Sequence, residues 1–289
     1  MQPINSFDMS AAIIFADILL VPHALGIDLK FETGEGPKLG KFEIADLHYD
    51  ATQVQPVFDA LKLVRAQLPS DKSLIGFAGS PWTVATYMIE GGSSKTFEDS
   101  KQHAFSNSPK LNAIIDILVE STIEYLSAQI YAGADVVKLF DSWAGELTGA
   151  DFARYIIEPN ARIIEGIRAR HPKTKIIAFP RRAMPSDLLN FCQVAKPDAI
   201  AISEHIDIRW AVENLALPIQ GNLPSATLLC DKQVIRSRTQ NILEATRNHP
   251  FIFNLGHGIS QHTPPENVAF LCEILLDPSL RLDPQSGNR

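Results

Sequence analysis

Seven short apolar runs, spaced by segments with helical patterning, set the tightest limit on what this chain can fold into. They are AAIIFAD (11–17), LIGFAG (74–79), DVVKLFD (135–141), KIIAFP (175–180), AIAIS (199–203), PIQGN (218–222) and FIFNLG (251–256). The runs are continuous rather than alternating, as in strands covered on both faces by other elements. The intervening segments carry helix signals. In SPKLNAIIDILVESTIEYLSAQIYAGAD, Ser108 reads as the N-cap, Pro109 as the first helical residue and Gly133 as the stop, with Leu111, Ile114, Ile115, Leu118, Leu126 and Ile130 on one face. HTPPENVAFLCEIL opens with Thr263 and Glu266 at capping-box spacing, and QPVFDALKLVRAQLP has Pro56 in its first turn and Pro69 after its last.

Strand alternating with helix implies parallel strands joined by right-handed crossovers, in an open doubly wound sheet or a closed (β/α)8 barrel. The GxGxxG fingerprint of the open nucleotide-binding version is absent after the first run. Every run instead ends in a polar or small group: Asp17, Gly79 with Ser80, Asp141, Pro180 with Arg181, Ser203 with Glu204, Asn222, and Gly256 with His257. A site that draws residues from the carboxyl ends of many strands is the habit of a barrel. The expectation is therefore an α/β chain with a TIM-barrel fold, one domain over residues 1–289, with a frayed tail at 278–289. A closed barrel of this kind takes eight strands and seven are legible, so the chain reads as lacking its first strand. The stretch 28–50 offers a short hairpin, but its glycines and charges make a poor barrel strand.

Charge and cysteine usage narrow the function. The formal net charge is −7, which argues against a general nucleic-acid binder. Cys192, Cys230 and Cys272 are isolated, without CxxC spacing, so neither a disulfide framework nor a cysteine zinc site is suggested and a reducing cytoplasm fits. No apolar run approaches the roughly 18 residues of a membrane span.

Several strand ends combine glycine with polar side chains. In GFAGSPWTVATYMIEGGSSK a helix can start after Ser80, placing Tyr87 about two turns along; FDSWAG ends a strand in Asp141 and Ser142; NLGHG flanks His257 with glycines that allow close backbone approach. Each has a structural alternative. Asp17 is a lone carboxylate in an apolar run and can cap the next helix, Tyr87 can be a core tyrosine, Ser142 a second cap and His257 a buried structural histidine. Arg181 and Arg182 in PRRAMP are a plausible anion contact. GGSSKT lacks the spacing of a phosphate loop, and HGISQH lacks that of HExxH, so no metal is expected.

Taken together, QPINSFDMSAAIIFADILLVPHALG, GFAGSPWTVATYMIEGG, FDSWAG, QGNL and IFNLGHGI followed by TPPENV resemble the uroporphyrinogen decarboxylase family, in the family's order and from residue 2 to about 276. The resemblance implies a (β/α)8 barrel and a cytoplasmic homodimer. It also implies an enzyme without cofactor or metal that converts the four acetate side chains of uroporphyrinogen III to methyls. On this resemblance Asp17 is the family's central aspartate, which accepts hydrogen bonds from pyrrole N–H groups and stabilises the positive charge on a protonated pyrrole. Tyr87, Ser142 and His257 are its substrate-contacting tyrosine, serine and histidine. The family's RQAGRY-like arginine motif is not found in these residues. The family's LDW strand end reads SEH, QGNLDP reads QGNLPS, and Arg181 with Arg182 replace Lys-Gly. The expectation is a truncated or mis-started member with weak activity. The competing expectations are a methyltransferase of the same superfamily, which would carry a His and Cys zinc site, and a noncatalytic porphyrinogen- or partner-binding remnant.

Overall fold

The computed structural model describes residues 1–14, 16–32 and 36–277 of the chain. In chain order its elements begin with α1 (Gln2–Phe7), β1 (Ala11–Ile13), α2 (Leu20–Ala24), β2 (Leu29–Glu32), β3 (Gly36–Leu39), α3 (Gln55–Gln67) and β4 (Ser73–Gly79). They continue through α4 (Pro81–Glu90), α5 (Glu98–Phe105), α6 (Pro109–Tyr131), β5 (Val136–Asp141), α7 (Gly149–Phe152), α8 (Glu158–Arg170) and β6 (Lys175–Pro180). The last are α9 (Pro185–Ala195), β7 (Ala199–Ala201), α10 (Ile208–Asn214), β8 (Ile219–Leu223), α11 (Lys232–Ala245), β9 (Phe251–Leu255) and α12 (Pro265–Leu276). Two compact units result, one of residues 13–197 and one of residues 1–12 with 198–289.

In the larger unit β4, β5 and β6 pair in parallel and in chain order, with Phe77 opposite Lys138 and Lys138 opposite Ile177. Successive side chains of a strand point to opposite faces, and both faces here are apolar. On one, Leu74, Ala78, Val137, Leu139, Ile176 and Ala178 are buried, as are Leu118 and Leu126 of α6 and Ile163 and Ile167 of α8. On the other, Phe77, Phe140 and Phe179 pack edge to face at 5.5 and 6.1 Å, and the Lys138 ammonium lies 4.6 Å from the Phe140 ring centre. Burial lowers the Lys138 pKa to about 8. α6 begins at Pro109 after Ser108 as the spacing predicts, and Gly133 takes φ +113° just beyond its end. β2 and β3 form an antiparallel hairpin, the element that stretch 28–50 offered.

In the smaller unit β7, β8 and β9 are again parallel and in chain order, with Asn222 opposite Asn254. Leu223, Leu228, Ile235, Ile242, Leu271 and Ile274 form its core, and Phe7, Phe251, Phe253 and Leu255 pack against it.

Three expectations need correction. The run 11–17 is not one strand: β1 stops at Ile13, and Asp17 lies in the turn before α2, where its own side chain competes for backbone N–H groups. β9 is not covered on both faces, since Ile252 is 42% exposed while Phe251 and Phe253 face the core. Thr263 is not the cap of α12, whose N-cap is Pro264 with no side-chain cap bond. The tail expected to fray, 278–289, lies outside the described residues, as does Phe15. No helix among the described residues is long and apolar enough to cross a membrane.

Candidate active site

The carboxyl end of β5 is built around a buried carboxylate. Asp141 is 1% exposed and, like Leu139 and Val137 two and four residues before it, points toward the helices. Thr83 Oγ1 donates to its Oδ1 across 2.6 Å and Asn160 Nδ2 to its Oδ2 across 3.3 Å. Ser80 Oγ in turn donates to Asn160 Oδ1 across 2.9 Å, so Ser80 serves this network rather than capping α4. Burial pushes the Asp141 pKa up to about 7 against the lowering effect of those bonds. Asp141, the last residue of β5, is thus turned into the helix layer, while Ser142, in the turn that follows, is half-buried.

The next residue, Trp143, is held at both backbone groups by α4. Its N–H donates to Thr83 Oγ1 at 3.0 Å, and its carbonyl accepts from Trp82 Nε1 at 3.0 Å. Its ring lies 4.9 Å from Phe97 and 6.4 Å from Tyr87. Tyr87 sits one helical turn after Thr83, so one face of α4 presents both. Burial raises the Tyr87 pKa first; the Trp143 indole opposes this, the nearby Asp17 carboxylate adds to it, and the Ser93 side chain opposes it in turn. Asp17 itself is half-buried, its Oδ1 accepting the Leu19 N–H at 2.8 Å and its carbonyl the Leu20 N–H at 3.2 Å. Asp17 thus shapes the turn into α2, and its charge reaches Tyr87. It has no ion-pair partner among the described residues.

Gly145 was not among the residues singled out from sequence. A Cβ there would come within 2.5 Å of the Arg182 carbonyl oxygen, and its N–H donates to Arg181 O at 3.0 Å. The bare glycine lets the loop after β5 lie on the loop after β6. Only the adjacent alanine and glycine that close FDSWAG hinted at it.

In the smaller unit, His257 is exposed in the bend after β9. Gly256 beside it makes room for Glu204, whose N would lie 2.5 Å from a Cβ at that position. Asn222 Nδ2 donates to the carbonyls of Ser203 and Ile206 at 3.2 and 2.7 Å, which fixes the loop after β7. Thus Asp17, Tyr87 and Ser142 belong to the larger unit, where Asp17 and Tyr87 are neighbours, and His257 belongs to the smaller. Among the described residues no group of three or more His, Cys, Asp or Glu is placed to hold a metal ion.

Comparison with known proteins decides the ancestry. The model of the family described as uroporphyrinogen decarboxylase (URO-D) matches residues 1–276. This chain belongs to the uroporphyrinogen decarboxylase family. A protein of that name from Novosphingobium aromaticivorans is 42% identical over 281 residues, covering 95% of this chain and 82% of the relative. One from Paracoccus denitrificans is 44% identical over 286 residues, covering 95% and 83%. Among solved structures, a methyltransferase from Methanosarcina mazei superposes with a TM-score of 0.78 at 19% identity, covering 94% of this chain and 81% of that one. A B12-independent methionine synthase from Shewanella sp. W3-18-1 gives 0.54 at 11% identity, covering 89% and 76%. At such identities these two structures speak for the fold alone. With the family match and the chain-order parallel pairing in each unit, they bear out an α/β fold of the TIM-barrel type.

Proposed function

We propose that this family member decarboxylates uroporphyrinogen III to coproporphyrinogen III in tetrapyrrole biosynthesis. The observation that carries the reading is Asp17: a carboxylate fixed by a backbone N–H, without an ion pair among the described residues, beside Tyr87. In each of four rounds, a proton adds to a pyrrole ring carbon and the ring becomes cationic. The C–C bond to the acetate carboxylate then breaks, its electron pair neutralises the ring and carbon dioxide leaves. A second proton completes the methyl as the ring loses the first, so one proton is consumed per carbon dioxide.

Asp17 accepts from the pyrrole N–H groups and stabilises the ring cation as it forms; a preorganised negative charge in a partly desolvated site is worth most where positive charge develops. Tyr87, Ser142 and His257 hydrogen-bond the substrate's carboxylates or ring edge. The reading calls for no cofactor and no metal. A homodimer in the cytoplasm is the accompanying proposal, supported by the family resemblance.

The test is incubation of the 289-residue chain with uroporphyrinogen III and chromatography of the oxidised products. Coproporphyrin formation above background supports the reading, and a rate near that of the relatives removes the expectation of a weakened member. Unchanged substrate in the presence of folded protein overturns it.

A further inference from the structure

We propose that Trp143 is a positioning residue for Tyr87, its indole N–H donating to the tyrosine hydroxyl so that the hydroxyl's own proton is offered to the substrate. This rests on the reading of Tyr87 as a substrate-binding residue, and nothing in the family resemblance assigned a role to Trp143.

Three observations, all within the larger unit, carry it. First, the Trp143 backbone is fixed by side chains of α4, its N–H on Thr83 Oγ1 and its carbonyl on Trp82 Nε1, so the indole has a defined place. Thr83 is itself anchored at 2.6 Å on the buried Asp141, so the tether ends in a fully buried polar cluster. Secondly, the three residues of α4 that engage Trp143 are Trp82, Thr83 and Tyr87: the helix that grips the tryptophan also carries the tyrosine. Thirdly, the indole Nε1 is buried and completes no hydrogen bond among the described residues. A buried donor without a partner is destabilising and so requires a reason. The indole nonetheless lowers the Tyr87 pKa, as a donor directed at the hydroxyl does, and more than the Ser93 side chain, the other group that lowers it. A donor poised there and short of a full bond closes onto the hydroxyl when substrate draws Tyr87 into place. The phenol oxygen then accepts from Trp143, which leaves its O–H to a substrate carboxylate.

A double-mutant cycle tests this on the whole chain. Trp143→Phe keeps an aromatic ring and removes the N–H; Tyr87→Phe removes the hydroxyl it serves. Trp143→Phe is expected to lower kcat/KM for uroporphyrinogen III by about 3- to 30-fold, the range for a lost hydrogen bond in a polar site, with the loss in KM more than in kcat. The double variant should be within about twofold of Tyr87→Phe alone, because the effect passes through the hydroxyl. Independent, multiplying losses, or an unaffected Trp143→Phe enzyme, would overturn the proposal. Should Trp143→Phe fail to fold, Thr83→Val releases the Trp143 backbone N–H and takes its place in the same cycle, with the same criterion.

The dissociation constant for uroporphyrin III, the stable oxidised macrocycle, separates this proposal from the one beneath it. A wild type that binds the macrocycle without turnover overturns the decarboxylase reading, and the cycle then stands or falls on binding alone. A folded wild type that neither binds nor turns over overturns both.

Discussion

Thr83 Oγ1 donates to Asp141 Oδ1 across 2.6 Å, and no charged side chain is among the causes that set the Asp141 pKa. A fully buried carboxylate held only by neutral donors favours its protonated form, hence a pKa of about 7 against an ordinary 3.8. Between those values the folded chain holds a proton that the unfolded chain has released. The contribution of Asp141 to stability is therefore fully present below the ordinary carboxylate pKa, and it is lost as pH rises through about 7. Across that window the slope is on the order of 1 kcal/mol per pH unit. Urea unfolding from about pH 5 to about pH 8 is expected to show this decline in the wild type and a shallower one in Asp141→Asn.

Asp17→Asn separates the charge from the turn. Asparagine Oδ1 accepts the Leu19 N–H as the carboxylate does at 2.8 Å, so the entry to α2 persists. The negative charge opposite the developing ring cation is gone, and kcat is expected to fall by about 10²–10³. Melting temperature and turnover measured together decide: unchanged turnover returns Asp17 to the role of a turn residue.

Gln129 fastens α6 to β4. Its Oε1 accepts from Phe77 N at 2.9 Å and its Nε2 donates to Phe77 O at 2.9 Å, while a Cβ on Gly76 would come within 2.6 Å of that Oε1. Gln129→Leu leaves both backbone groups buried without these partners, and a destabilisation of roughly 2–4 kcal/mol is expected in denaturant titrations.

Gly145→Ala drives a methyl toward the Arg182 carbonyl, 2.5 Å from the ideal Cβ position. Backbone on both sides must move, at an expected cost of about 1–3 kcal/mol. Because residue 145 follows Ser142 and Trp143 on the same loop, KM for the porphyrinogen should rise with it. A variant with wild-type KM and stability would show that the two loops separate freely.

Much of the fold was legible. β4, β5 and β6 fall within a residue of their apolar runs because strands buried on both faces leave an unbroken hydrophobic record. The start of α6 at Pro109 was equally plain, since proline at the first turn gives up no hydrogen bond that the helix needs. Where local chemistry competed with hydrophobicity the reading failed: Asp17 ends no strand but lies in the turn before α2, where its carboxylate bonds the backbone two residues on.

What the sequence by itself determined was the strand and helix order and the set of polar residues at the strand ends, because periodicity, caps and turn residues act over a few neighbours. Tertiary structure decided which of those polar groups turn inward. Asp141 and Ser142 are adjacent and both polar, one the last residue of β5 and the other in the turn after it, and nothing local says which of them is buried. That Asp141 is the buried one follows from Thr83 on α4 and Asn160 on α8, 58 and 19 residues away in the chain, which supply its hydrogen bonds. The desolvation that raises its pKa, and the grip of α4 on Trp143, exist only once those distant segments are packed together.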